Sequence, residues 1–316
     1  MVAVIDTGVD YNHQDLKDAM WKNPGEIPGN GIDDDENGIV DDIYGANFVQ
    51  FSKCCNPPPN DPLDNSPESE GHGTKVAGIV AASANNGEGI AGVAGNTNGN
   101  VKIMALRYLG PDGGQFSWLL KCVNYAFAKK ALISNNSYGS RGPQNLEKND
   151  ILESILRSHP EHLFISSAGN RNQTVTRENF PGGMFLSNHI SVASSTYLDE
   201  RDENSNYGKP FVNVFAPGKR IATTAPLRNY RYASGTSFAA PHVAGLAALM
   251  MSLREVITPE EVKNLIETNV QRKAQYEDLV TSGGLIDVYA AIISLISAKP
   301  KGCKQCKQCT SHLSIY

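Results

Sequence analysis

The sequence of 316 residues predicts an α/β fold, a single domain with a predominantly parallel central sheet flanked by helices on both faces. Two observations predict this fold. Short, continuous apolar runs recur along the chain, as strands buried on both faces of a parallel sheet require. Segments with helical spacing separate these runs, and such alternation is typical of parallel strands joined by crossover helices. No repeat or linker interrupts residues 1–298, so we predict one domain there and a disordered, Lys- and Cys-rich tail over 299–316.

The individual elements follow from local patterns. Six apolar runs are predicted to be strands: 2–5, 101–106, 132–134, 163–166, 190–192 and 212–215. Three segments between them have helical spacing: 74–82, 117–130 and 151–157. Thr258 and Glu261 form a capping box around Pro259, which predicts a helix from there to about residue 267. A further apolar helix is predicted over 286–297.

The composition is ordinary for a globular protein, with 40% hydrophobic and 19% charged residues. The net charge of −5 argues against nucleic acid as a partner, because binding phosphates requires a basic patch. We predict no membrane span, since no apolar run reaches the ~18 residues that cross a bilayer. Residues 2–5 are too short for the core of a signal peptide.

The six cysteines leave two questions open. Cys54, Cys55 and Cys122 are either free thiols or supply one disulfide from the adjacent pair to Cys122, which would suit a secreted protein. The spacing of Cys303, Cys306 and Cys309 is similar to a metal or redox motif, but no fourth ligand follows at the usual distance. A disordered tail is therefore the favoured interpretation.

Three separate segments each carry one chemically reactive side chain. Asp6 ends the first predicted strand, where open α/β sheets bind their ligands. His72 lies between two glycines and opens a helix, and Ser237 opens another. A carboxylate, an imidazole and a hydroxyl are the groups that acyl transfer to serine requires.

The chain order of these residues and their flanks resemble the subtilisin-like serine proteases. The matching segments are Val4-Ile5-Asp6-Thr7-Gly8, Gly71-His72-Gly73-Thr74 and Gly235-Thr236-Ser237-Phe238-Ala239. The resemblance covers residues 1–298 and implies a serine endopeptidase that acts through an acyl-enzyme. One departure is Lys75, where the family often has a second histidine. A peptide-binding or calcium-binding pseudoenzyme is the alternative, against which the intact reactive residues argue.

The same resemblance implies an oxyanion hole. Asn170, in Ser167-Ala168-Gly169-Asn170, matches its side-chain donor, and the backbone N–H of Ser237 is the second donor. A helix N-terminus favours negative charge, which suits this position. Pro241 cannot donate to the carbonyl of Ser237, so we expect a distorted first helical turn.

Substrate-binding segments also match the family, which clamps an extended peptide between two backbone edges. Gly114 and Phe116 match one edge, and Ser137, Tyr138 and Gly139 match the other. Phe116 and Tyr138 either line an apolar subsite or pack in the core.

The resemblance also outlines the pocket for the residue that precedes the cut bond. Its walls are Ser137 to Gly139 and the segment Ala168, Gly169 and Asn170; Asn179 matches its floor. Arg171 lies at the rim or points into solvent. We predict small or polar residues in this pocket, with acids tolerated, over large aromatic ones.

An acidic segment carries a ligand pattern. Asp33, Asp35 and Asn37 alternate and precede Gly38, as at the start of a calcium loop. An EF-hand would place Glu where Tyr44 stands, so Asp41 or Asp42 must complete the shell together with the carbonyl of Ile39. We predict calcium here, with a solvated charge run as the alternative.

Further expectations come from the family alone. Asp15 and Asn86, with the carbonyls of Ala84, Glu88 and Ile90, match a second calcium site. The acidic insertion is most similar to secreted subtilisins of protozoa and some bacteria. We expect a monomer of the secretory pathway, acting on protein or peptide substrates. We read the chain as part of a longer precursor whose inhibitory prosegment lies outside it.

Overall fold

The computed structural model describes residues 1–50, 58–64, 70–95, 99–254 and 256–297. Thirteen strands are described: β1 (Val2–Asp6), β2 (Gly45–Asn47), β3 (Ile103–Arg107), β4 (Ile133–Asn136), β5 (Ser140–Arg141), β6 (Leu163–Ser167), β7 (Asn179–Phe180), β8 (His189–Ser195), β9 (Val214–Pro217), β10 (Ile221–Ala225), β11 (Asn229–Ala233), β12 (Val270–Arg272) and β13 (Gly284–Ile286). The described helices are α1 (His72–Ala81), α2 (Phe116–Ala128), α3 (Asn145–Arg157), α4 (Thr236–Leu253), α5 (Pro259–Thr268) and α6 (Val288–Ser297).

Nine strands form one central sheet in the order β12-β13-β9-β8-β6-β4-β1-β3-β2. Every neighbouring pair is parallel except β12 and β13 at one edge. The predicted α/β fold with a mostly parallel sheet is confirmed. Two small two-stranded sheets, β5 with β7 and β10 with β11, lie outside this sheet and were not predicted.

The strands are buried on both faces, as their continuous apolar sequences require. In β1, Val2 and Val4 pack with α1 and α4, while Ala3 and Ile5 pack with α2 and α3 on the other face. This period-two division explains why the helices cover both faces. The capping box of Thr258 is present at the start of α5, as predicted.

Several predicted boundaries differ from those observed. The helix predicted over 286–297 begins at Val288, because Ile286 pairs as the last residue of β13. Helix α3 begins at Asn145, ahead of the predicted residue 151, since a polar first turn hides its start from an apolar pattern. Cys122 is buried with a free thiol in α2, whereas Cys54, Cys55 and the tail 299–316 lie outside the described residues.

One helix within the described ranges, α4, is long and apolar enough to meet the criteria for a membrane span. Two thirds of it, 67%, is buried inside the protein. It packs against α1 and beneath four strands of the sheet. The length and apolar character of α4 are therefore those of a central core helix.

Candidate active site

Asp6 and His72 meet where β1 ends and α1 begins. The Nδ1 atom of His72 lies 2.7 Å from Oδ1 of Asp6, and the Asp6 carboxylate is fully buried. The N–H of Thr7 donates to the same oxygen at 2.8 Å. Because a carboxylate can only accept, His72 donates from Nδ1, which leaves Nε2 as the atom able to accept a proton. Gly73 permits this approach, since a Cβ there would lie 2.0 Å from the carbonyl oxygen of Gly8.

The pKa of His72 is raised above its ordinary value. Burial alone would lower it, but the charge and hydrogen bond of Asp6, with the charge of Asp64, outweigh burial. The His72 side chain is 26% exposed and so remains accessible from the surface. A second histidine, His242, lies in the same helix as Ser237. Its Nδ1 donates to the carbonyl of Phe238, and burial lowers its pKa to about 4.

Ser237 is the second residue of α4. Its hydroxyl donates to the carbonyl of Ser137 at 3.2 Å, and among the described residues no hydrogen bond joins it to His72. The hydroxyl of Ser137 donates in return to the carbonyl of Ser237 at 2.7 Å. Pro241 explains this second bond, because it has no N–H to give that carbonyl. The serine is thereby held at the helix N-terminus, with its hydroxyl bonded to the Ser137 carbonyl.

The side-chain amide of Asn170 is fixed by Thr236. Its Oδ1 accepts from the backbone N–H of Thr236 at 2.8 Å and from the Thr236 hydroxyl at 3.0 Å. Because both of these donors face Oδ1, Nδ2 is the atom left to donate elsewhere. Asn170 is exposed beside Ser237 and lines the same cavity. This arrangement fits the predicted oxyanion donor.

A cavity of about 330 Å³ adjoins Ser237 and Asn170. Its lining includes all the residues predicted for the specificity pocket: Ser137, Tyr138, Gly139, Ala168, Gly169, Asn170, Arg171 and Asn179. Asn179 is buried, and β7 pairs with β5 to bring it opposite Arg141. Arg141 and Gln173 also line this cavity, although no sequence motif marks them as pocket residues.

The predicted substrate edges have mixed surroundings. Tyr138 is buried, packs edge-on against Tyr108 and donates its hydroxyl to Asn136 at 2.9 Å. Its ring therefore belongs to the core as well as to the cavity wall. Phe116 is partly buried against Phe180, with ring centroids 5.7 Å apart. Gly114 packs close to Tyr108, since a Cβ there would lie 2.5 Å from that ring.

The acidic segment brings together a set of carboxylates that differs from the predicted one. Oxygens of Glu26, Asp35 and Asp42 lie within 4.8 Å of one another. Asp33 accepts from the N–H groups of Asn37 and Gly38, and Asp41 accepts from two glycine N–H groups. Among the predicted ligands, Asp35 and Asp42 thus converge, with Glu26 as an addition that spacing did not reveal.

Helix α2 fastens this carboxylate cluster to the core. Lys129 pairs with Oδ2 of Asp35, and the Tyr125 hydroxyl donates to Asp42 at 2.6 Å. The other oxygen of Asp35, Oδ1, is buried with no hydrogen-bond partner among the described residues. A free buried carboxylate oxygen beside two further carboxylates fits a hard cation such as calcium.

The second predicted calcium set is arranged differently. Asp15 is fully buried, and its two oxygens accept from Nδ2 of Asn86 at 2.7 Å, the N–H of Ile90 at 3.0 Å and the hydroxyl of Tyr230 at 3.0 Å. These residues, as arranged, fit internal hydrogen bonding rather than a cation. A second ion, with the carbonyls of Ala84, Glu88 and Ile90, stays a prediction of the resemblance.

Comparison with known proteins gives the family. The fold is that of a subtilisin-like serine protease, and the model of the subtilase family matches residues 1–284. The chain therefore belongs to the subtilase family. It is 32% identical to subtilisin-like protease 1 of Plasmodium vivax over 94% of this chain and 48% of the relative. It is 33% identical to the major intracellular serine protease of Bacillus subtilis, over 80% of this chain and 69% of the relative.

Solved structures agree with this family. A cold-adapted subtilisin-like serine proteinase superposes with a TM-score of 0.64 at 26% identity, covering 90% of this chain and 86% of that one. Proteases from Pseudoalteromonas arctica give a TM-score of 0.69 at 28% identity, covering 93% and 89%. The chain spans about half the length of the Plasmodium relatives it matches.

Proposed function

We propose that this chain is a serine endopeptidase that hydrolyses extended polypeptides through an acyl-enzyme. The observation that carries the proposal is the 2.7 Å contact between buried Asp6 and His72, beside a serine at a helix N-terminus. Family membership supports the same activity. The exposed Asn170 amide, held by Thr236, supplies the remaining element of the chemistry.

In the proposed reaction, Ser237 Oγ turns from the Ser137 carbonyl to His72 and attacks the peptide carbonyl carbon. His72 Nε2 accepts the serine proton, while Asp6 holds Nδ1 and stabilises the imidazolium. The oxyanion accepts hydrogen bonds from Nδ2 of Asn170 and the N–H of Ser237. The C–N bond then breaks, and His72 returns its proton to the leaving amine. Water repeats these steps on the acyl-enzyme and releases the acid.

A pseudoenzyme that binds peptides without cleaving them is the second candidate. The observation that favours it is the Ser237 hydroxyl bonded to Ser137 rather than to His72. A fluorophosphonate probe separates the two candidates, because only an activated serine reacts with it. Labelling that requires Ser237 and His72 supports the peptidase, and the absence of labelling on a folded sample supports the pseudoenzyme.

We also propose one structural calcium ion in the acidic segment. Glu26, Asp35 and Asp42 would hold it. Asn37 and the carbonyl of Ile39, which lie in the same acidic segment, are further proposed ligands. When bound, the ion supplies charge neutralisation and stability, not chemistry, because the cluster contains none of the proposed catalytic residues. Thermal unfolding with calcium and with a chelator tests this assignment.

The wider biology of the protein is also a proposal. An inhibitory prosegment, a secreted location and a monomeric state are supported by the family resemblance alone. An extended substrate strand is supported by the family resemblance, and Gly139 of one matching segment lines the cavity beside Ser237. Expression with and without the preceding precursor sequence, followed by an activity assay, tests the need for a prosegment.

A further inference from the structure

The cavity beside Ser237 has an unusual balance of charge. Two arginines, Arg141 and Arg171, contribute to its lining, and no aspartate or glutamate does. Both arginines are exposed, so their guanidinium groups meet solvent and any bound side chain. The cavity is therefore electropositive in the part of the chain that the structure describes.

The floor of the cavity offers a hydrogen-bond donor. Oδ1 of Asn179 accepts from the backbone N–H of Thr176 at 2.9 Å. Because that N–H can only donate, the orientation of the amide is fixed and Nδ2 is left to donate to a ligand. Helix α3 holds this floor in place, since Nδ2 of Asn149 donates to the carbonyl of Asn179 at 3.1 Å. The donor is thus rigidly placed.

Arg141 is oriented by Gln173. Its guanidinium donates to Oε1 of Gln173 at 2.5 Å, and the Gln173 backbone N–H donates to Oδ1 of Asn206 at 3.2 Å. Asn206 in turn donates to the carbonyl of Ala168, in the cavity wall, at 2.9 Å. The β5–β7 register pairs Arg141 with Asn179, and both residues line the cavity. Nε2 of Gln173 is buried and lacks a hydrogen-bond partner among described residues, so this wall has donors in excess.

We propose that Arg141 is a specificity-determining residue, which with Asn179 makes this pocket select a carboxylate side chain, glutamate first, in the substrate residue before the cut bond. A side chain that brings only acceptors satisfies the donors of Asn179 and Arg141 together. An aromatic ring satisfies neither and leaves them desolvated. The proposal rests on the proposed peptidase function. Asn179 and Arg171 predict from sequence that the pocket tolerates acids, and the present proposal is that the pocket prefers them.

The test compares peptides that differ only in this residue: Glu, Gln, Ala, Lys and Phe. Glu and Gln have the same shape, so the ratio of their kcat/KM values isolates the charge. We expect this ratio to be about five in the wild type, the size that a single exposed ion pair supports. Arg141→Ala should bring it towards one, Arg141→Glu should invert it and raise cleavage after Lys, and high salt should reduce it. The matched control is Arg272→Ala, which removes an exposed arginine on the distant strand β12. It should leave the Glu to Gln ratio unchanged.

Active-site titration with a fluorophosphonate distinguishes failure of the peptidase proposal from failure of the specificity proposal. A sample that neither labels nor cleaves any peptide contradicts the proposed peptidase function itself. A sample that labels and cleaves, but prefers Phe to Glu, overturns the specificity proposal alone. A Glu to Gln ratio that is unchanged in both Arg141 variants also overturns the specificity proposal and leaves the peptidase function standing.

Discussion

We call the region that holds the proposed catalytic residues Asp6, His72 and Ser237 the catalytic edge, and residues 23–42 the acidic loop. Both regions position charged or reactive side chains, but by different means. At the catalytic edge, each side chain leaves the end of a strand or the start of a helix that is itself buried in the core. In the acidic loop, backbone N–H groups, Tyr125 of α2 and Lys129 directly after α2 hold the carboxylates. The first region depends on the sheet, and the second on local turns and one docked helix.

The difference has a consequence for function. The backbone at these element ends moves only if the core moves, so the catalytic edge should tolerate loss of an individual side chain with its backbone geometry intact. The acidic loop depends on charge balance, because Glu26, Asp35 and Asp42 repel one another unless a cation offsets them. We therefore expect changes at the edge to alter turnover and changes in the loop to alter stability.

The largest expected effect comes from Ser237→Ala. We expect peptide hydrolysis to fall by about 10⁶-fold, the size of the loss that removing this serine causes in a subtilisin. The alanine leaves α4 intact, so the thermal midpoint should stay within a few degrees of the wild-type value. Turnover near the wild-type rate in a purified sample would contradict the assignment of the nucleophile.

The second effect concerns Asp6 and the pH profile. Because Asp6 raises the pKa of His72 above 6.5, we expect kcat/KM to increase with pH through a midpoint above 6.5, as His72 becomes neutral and able to accept a proton. Asp6→Asn should lower that midpoint and reduce kcat by about 10⁴-fold, as the equivalent change does in a serine protease triad. If the midpoint were unchanged in Asp6→Asn, the contact between Asp6 and His72 would not be the cause of the raised pKa of His72.

The third effect is at Asn170. Asn170→Ala should reduce kcat by about 10²- to 10³-fold with little change in KM, a magnitude known from a subtilisin rather than calculated for this chain. Asn170→Asp is a second test, because it keeps the shape, removes the donor and adds a negative charge, so it should lose at least as much turnover as Asn170→Ala. If Asn170→Asp retained wild-type turnover, donation from Nδ2 would have no part in the reaction.

The smallest effect on turnover belongs to the acidic loop. We expect calcium to raise the thermal midpoint of the wild type and to have no such effect on Asp35→Asn or Asp42→Asn, while kcat stays within about twofold. Asp34→Asn serves as the control, since Asp34 is exposed and accepts from Ile27 outside the cluster. A calcium shift that survives in both cluster variants, or that vanishes in the control, would remove the cluster as the site.

The same comparison shows what the sequence could predict. Local motifs that mark the ends of strands and the starts of helices predict Asp6, His72 and Ser237 as the reactive residues. Glu26 was missed because it reaches Asp35 through long-range turn geometry, which has no spacing signal. Arg141 and Gln173 were missed for a related reason. Only the pairing of β5 with β7 brings Arg141 to the cavity, and a two-residue strand leaves no periodic pattern.

The most direct test of the central claim is mass-spectrometric mapping of a fluorophosphonate adduct on the protein. We expect one adduct, on the peptide that contains Ser237, formed faster as pH rises past the pKa of His72 and absent from Ser237→Ala and His72→Ala. An adduct on a different serine, or none on a folded and calcium-loaded sample, would contradict the proposal that Asp6, His72 and Ser237 form a working catalytic triad.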